Sequence, residues 1–426
     1  MYGGCEKYIW LFRGAVTAVL LAVLPIQAAS GQSGNELNAQ GVEYYNAGQW
    51  ESAIQAFEQA NAKDPSNAVI STNLSNAFQA YASSLVSTGD VSQAIKYLER
   101  LLKIDPSNSQ PLIQLGAYYL HEGMVKDAIY RLEDAIELAP GNTDAHFLLG
   151  EAYYKDNDTT AAVDQWEWVY RTEPDKPGLK ERLESALREE RVEFDFKGDS
   201  SRNFNVTYSR EAEGQLVRSV LRILENGYRE IGRAFGHIYP PTPIQVSLYT
   251  ARDFSESTQM GEHVGAVYDG TKIRCPVLDE QGKVLDEVEL KRRLYHEYVH
   301  VMVRHLSKDN APWWINEGLA EALSTELGAT ELAALRQARL DNSLPSLETL
   351  EDNPLEILDV QELRLAYNQS HAAIMHIQNR YGMRSITSLL QLLGEGAAVE
   401  TALRSASRMN YRTLDLAVQD FIVAAR

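Results

Sequence analysis

The chain has 426 residues, of which 44% are apolar and 23% charged, and a formal net charge of −19. Its length predicts two or more domains, each large enough to bury a core, and its apolar share is that of an ordinary soluble globular protein. The acidic balance speaks against nucleic acid or an anionic membrane as a partner held through a basic face.

Lys7 and Arg13 precede an apolar run from Ala15 to Leu24, followed by Pro25-Ile26-Gln27-Ala28-Ala29-Ser30. That layout is a secretory signal peptide over residues 1–30. It implies export to a periplasm or the extracellular space, with an uncleaved anchor the less favoured alternative. The run is too short to span a membrane comfortably, and no later stretch is long and apolar enough. Cys5 leaves with this segment, so Cys275 is the one remaining cysteine. No intramolecular disulfide can form, and any metal site is not of the cysteine type. Cys275 lies in an apolar strand-like stretch with no neighbouring His, as expected of a buried structural thiol.

Residues 34–176 are repetitive. Pro65, Pro106, Pro140 and Pro174 close four units (34–67, 75–108, 109–142 and 143–176). Ala53, Ala94, Ala128 and Ala162 share one position; Gly41, Gly116 and Gly150, with Ala82 in the second unit, share another; Phe57, Leu98, Leu132 and Trp166 share a third. This resembles the tetratricopeptide repeat, a helix-turn-helix unit whose small residues let paired helices approach closely. The resemblance implies an all-α solenoid with a surface for a protein partner. Seven extra residues, about Ala68 to Leu74, are expected to lengthen the leading helix of the second unit. Residues 177–192 then read as one amphipathic helix capping the array, with Leu179, Leu183 and Leu187 on one stripe.

Gly198-Asp199-Ser200-Ser201 is a turn-rich break, and a second domain is expected over 203–426. Phe204 to Tyr208 alternates like a strand, and Glu211 to Phe235 is helical. Ile244 to Tyr249 is β-rich, and Gly265 to Pro276 holds a hairpin around Asp269-Gly270. Helix and strand mix here and give way to helices after Leu285, the pattern of an α+β domain with a helical C-terminal part.

Leu290 to Leu306 reads as one helix carrying His296-Glu297-Tyr298-Val299-His300. Histidines at i and i+4 share a helical face, so both imidazoles can reach one metal ion. Glu297 stands beside the first, placed to take a proton from a metal-activated water. Seventeen residues past His300, Glu317 lies in Pro312-Trp313-Trp314-Ile315-Asn316-Glu317-Gly318-Leu319-Ala320-Glu321, the start of a second helix.

HEYVH followed by WWINEGLAE resembles the gluzincin zinc metallopeptidases, most closely their peptidase-MA-like branch. The resemblance implies one Zn2+ per chain held by His296, His300 and Glu317, with Glu297 as general base and Glu321 as the carboxylate that orients a ligand histidine. It also makes Gly265-Ala266-Val267-Tyr268 the strand edge on which an extended peptide substrate pairs. Gluzincin aminopeptidases carry a Glu on that strand for the substrate's amino group. This chain has Tyr268-Asp269-Gly270 there, and its His-to-Glu spacing is two residues shorter, which points toward an endopeptidase. Leu365 to Ser370 followed by Arg380-Tyr381-Gly382 resembles the family's C-terminal helix. Tyr367 is the implied oxyanion donor and His371 the substitute. His263, His305 and His376 have no ligand-spaced partners. The expected function is an exported zinc peptidase acting on a peptide or protein, its repeats binding a substrate or protein partner. The alternative is a repeat scaffold with a non-catalytic metallopeptidase-like domain.

Overall fold

The computed structural model describes residues 32–212, 214–260, 264–352, 354 and 358–425. The expected signal peptide, Cys5 and His263 lie outside them. The chain divides between Leu187 and Arg188 into two compact units.

The first unit is a solenoid of paired helices: α1 (Gly34–Asn46) with α2 (Trp50–Lys63), α3 (Ala68–Ser87) with α4 (Val91–Ile104), α5 (Ser109–His121) with α6 (Val125–Leu138), and α7 (Thr143–Lys155) with α8 (Thr159–Thr172). The shared positions meet in space. A Cβ on Gly41, Gly116 or Gly150 would run into the side chain of Phe57, Leu132 or Trp166 respectively. Glycine in the leading helix is therefore what lets the large residue of the following helix seat itself. The prolines punctuate. Two residues past Pro65, Pro106 and Pro140, the side chains of Asn67, Asn108 and Asn142 accept backbone N–H groups at the starts of α3, α5 and α7, satisfying donors that the first turn leaves open. The helix α3 runs 20 residues against 13 in α1, α5 and α7. A further helix, α9 (Leu179–Glu193), packs Leu179, Leu183 and Ala186 on Val163, Trp166 and Val169.

The second unit contains a five-stranded sheet, ordered β1-β2-β3-β5-β4, from β1 (Lys197–Ser200), β2 (Phe204–Tyr208), β3 (Ile244–Thr250), β4 (Val267–Tyr268) and β5 (Lys272–Leu278). The outer pairs β1/β2 and β4/β5 are antiparallel and the inner pairs parallel. Gly198 to Ser200, whose composition suggests a turn, is strand instead. All four residues of β1 are exposed, so main-chain pairing with Asn205–Tyr208 defines the strand, without an apolar face to mark it.

Helix α10 (Gln215–Ala234) fills one face and α11 (Ala251–Thr258) follows β3. Helix α12 (Glu287–Ser307) joins α10 and β2 through Tyr298, Phe204 and Tyr228, whose rings meet at 6.0–6.2 Å. The remainder is helical: α13 (Trp313–Ser324), α14 (Ala329–Leu340), α15 (Val360–Tyr381), α16 (Met383–Gly394), α17 (Val399–Ser407) and α18 (Tyr411–Ala424). Cys275 is fully buried in β5, and burial pushes its thiol up to about 12. No helix among the described residues is long and apolar enough to cross a membrane.

Candidate metal centre

The side chain of Asp286 caps α12 by accepting Glu289 N–H. One stripe of α12 carries His296 and His300, with ring centroids 4.8 Å apart. Lys308 and Asp309, both with positive φ, end the helix and turn the chain back. Pro312 then starts α13 with its ring at a position that needs no donor. Three contacts fix the direction of α13. Trp313 N–H donates to Glu351 O at 2.9 Å, and Trp314, fully buried, donates through Nε1 to Tyr411 Oη at 3.3 Å. Tyr411 in turn donates to Glu351 Oε1 at 2.6 Å. On the far side, a Cβ on Gly318 would stand 2.5 Å from Ser370 O of α15. Only glycine permits that approach, and it turns the neighbouring Glu317 toward α12.

Glu317 Oε2 lies 3.6 Å from His296 Nε2 and 3.6 Å from His300 Nε2. Among the described residues, His296, His300 and Glu317 form the one cluster suited to a metal, with ligand atoms all within 4.8 Å of one another. Ligands on a tetrahedral zinc lie about 3.4 Å apart, so small rotamer adjustments bring this set to bonding geometry. Two imidazoles and one carboxylate, with a position left open, is the donor set of catalytic zinc.

Of the two ring nitrogens that face away from this point, that of His300 is hydrogen-bonded. His300 Nδ1 meets Asn316 Oδ1 at 3.0 Å, and His296 Nδ1 faces Glu321 Oε1 at 3.5 Å. The Asn316 acceptor favours the His300 tautomer with Nδ1–H, leaving its Nε2 free to ligate. The surrounding charges call for a cation. Burial opposes a charged His296, yet Glu317, Glu297 and Glu321 outweigh it and push its pKa up to about 9. Burial alone would raise the carboxyl of Glu317, but His300 and His296 hold it below its ordinary range.

Glu297 is 5% exposed, and burial raises its pKa against the opposing pull of His300 and His296. Glu317 raises it further, while the Tyr268 backbone N–H donates to the carboxylate. A carboxylate with raised pKa is a stronger base than an exposed one. Val267 and Tyr268 form the outer strand of the sheet, and Gly265 O accepts from Arg293 Nη1 at 2.8 Å.

Tyr367 stands edge-on to Trp313, ring centroids 4.9 Å apart. His371 is buried, and burial pulls its pKa down to about 4 against the influence of Glu331. It is neutral at physiological pH, and the acidic residue acting on it belongs to α14. Burial also lowers the pKa of His305 and His376, and His376 packs against Phe421. Sequence reasoning missed Asn316 and Arg293. Asn316 is visible only as the residue preceding Glu317 in the WINEG run. Arg293 lies four before Glu297, hence on its helical stripe.

Residues 283–424 match the Peptidase MA superfamily, and residues 44–112 and 119–165 match the tetratricopeptide repeat. Similar solved structures include a thermophilic tetratricopeptide protein of Thermus thermophilus, 18% identical, covering 36% of this chain and 99% of that one at TM-score 0.25. MamA of Desulfovibrio magneticus is 18% identical, covering 34% and 78% at TM-score 0.26. YrrB, described as a tetratricopeptide protein with an unusual peptide-binding site, is 21% identical, covering 37% and 74% at TM-score 0.26. No curated protein matches the chain.

Proposed function

We propose that this chain, which carries tetratricopeptide repeats followed by a Peptidase MA superfamily domain, is an exported zinc-dependent peptidase. In this reading it cleaves within peptide chains and uses its repeats to bind a protein partner or substrate. The observation that carries the reading is the convergence of His296 Nε2, His300 Nε2 and Glu317 Oε2 next to a buried Glu297. Export rests on the charged and apolar layout of residues 1–30. The preference for internal bonds rests on Tyr268-Asp269-Gly270, which supplies no Glu beside the strand for a substrate's amino group.

His296, His300 and Glu317 would hold zinc. When bound there, zinc acidifies water toward neutral pH and polarises the scissile carbonyl. Glu297 takes the proton from the attacking water and returns it to the leaving amine. The Tyr268 N–H keeps one lobe of that carboxylate oriented. Asn316 holds the His300 imidazole with Nε2 toward the site, and the Glu321 carboxylate faces His296 Nδ1. Tyr367 is the proposed donor to the oxyanion, and Trp313 packs against its ring.

The test is metal analysis beside digestion of a peptide library with free and blocked N-termini. The expected result is about one zinc per chain and cleavage of blocked peptides. Folded protein that takes up no zinc would overturn the reading and leave the repeats as the functional part.

A further inference from the structure

Strand β4 is two residues long and pairs with β5 with Val267 opposite Arg274 and Tyr268 opposite Ile273. Asp269 N–H donates to Lys272 O, so the main chain of Asp269 faces β5. Strand alternation then turns the main chain of Tyr268 to the outer edge. The contact from Tyr268 N–H to Glu297 agrees with this. One donor of the edge is thus taken by the proposed base.

So short a pairing does not hold an edge in register by itself. Its two ends are held by guanidinium groups. Arg293 donates through Nη1 to Gly265 O at 2.8 Å and through Nε to Glu289 Oε1 at 2.6 Å. At the other end the Asp269 carboxylate pairs with Arg274 and accepts the N–H groups of Thr271 and Lys272 at 2.8 and 2.9 Å. Arg274, 5% exposed, is itself held by Glu189 at 2.6 Å. Arg293 and Glu297 are i and i+4 on one stripe of α12. The helix that carries the base therefore grips the edge at Gly265 and at Tyr268, three residues apart.

We propose that Arg293 is a positioning residue that sets the edge Gly265–Tyr268 at the height where an extended peptide laid along it crosses the metal centre. Its role toward substrate rests on the hydrolase reading, whereas its grip on the edge does not.

The test compares full-length, zinc-loaded parent, Arg293→Met and Arg293→Lys. In Arg293→Met, amide exchange at Val267 and Tyr268 rises about tenfold, the scale of a lost charge-assisted hydrogen bond, while β5 and α12 keep parental rates. Arg293→Lys, which retains a donor for Gly265 O, stays near the parent. For a decapeptide cleaved by the parent, KM rises about tenfold in Arg293→Met with kcat within about threefold, and Lys restores most of it. Unchanged exchange at Val267 and Tyr268, faster exchange spread over β5 and α12, or a loss confined to kcat overturns the proposal. A parent that binds zinc and cleaves nothing in the library overturns the hydrolase reading and the substrate role with it. The exchange pattern then still decides the clamp.

Discussion

Glu297→Gln keeps the size and burial of the side chain and removes its capacity to accept a proton. Peptide hydrolysis is expected to fall about a thousandfold with zinc content unchanged, measured by kcat/KM beside metal analysis. Undiminished turnover would assign the base elsewhere. Asn316→Ala removes the acceptor at 3.0 Å from His300 Nδ1. Zinc affinity should drop about 10- to 100-fold, read by competition with a chromophoric chelator. His371 supplies a pH signature separate from the metal. Its folded pKa of about 4 lies below the ordinary histidine value because the imidazole is buried. Above pH about 6.5 the group is neutral whether folded or not. As pH falls from there toward 4 the unfolded chain takes up the proton first, so stability declines, by roughly 3 kcal/mol at most. Urea midpoints of the second unit should therefore shift down between pH 7 and pH 5, and His371→Gln should flatten that slope. A parental slope in the variant would assign the acid sensitivity to other groups.

The close approach of α13 and α15 depends on one glycine. Gly318→Ala places a methyl against Ser370 O, and the helices must separate at a cost of about 1–3 kcal/mol. Because Glu317 is the adjacent residue, zinc affinity should weaken as well. Gly141→Ala, where nothing lies within 4 Å, serves as the control and should stay within about 0.5 kcal/mol. Differential unfolding together with zinc titration separates the two. Equal behaviour of the two variants would show that α15 yields without moving α13.

For the whole molecule, zinc held as proposed by the folded second unit alone would stabilise that unit by mass action, about 2.7 kcal/mol at one hundred times Kd. A chelator should lower its melting temperature and leave the first unit unmoved, because the described residues of the solenoid hold no metal cluster. Calorimetry with and without chelator checks this, and a shift in the first unit would place metal elsewhere.

Much of this architecture is legible in local spacing. An i, i+4 pair of histidines and Asn after Pro act within one or two helical turns, where backbone geometry alone dictates which side chains meet, and the alanines and glycines of the solenoid are marked by their 34-residue period. The sequence by itself therefore determined the repeats, the helix bearing His296 and His300, and the candidacy of Glu317. Tertiary structure decided the rest. It made Gly198–Ser200 a strand through a partner's main chain, and buried His371 beneath neighbouring helices. It brought Asn316 to His300, Arg293 to Gly265, and Tyr268 N–H to Glu297. Each of these is a contact between segments whose separation along the chain carries no periodic mark, so only the packed fold specifies it.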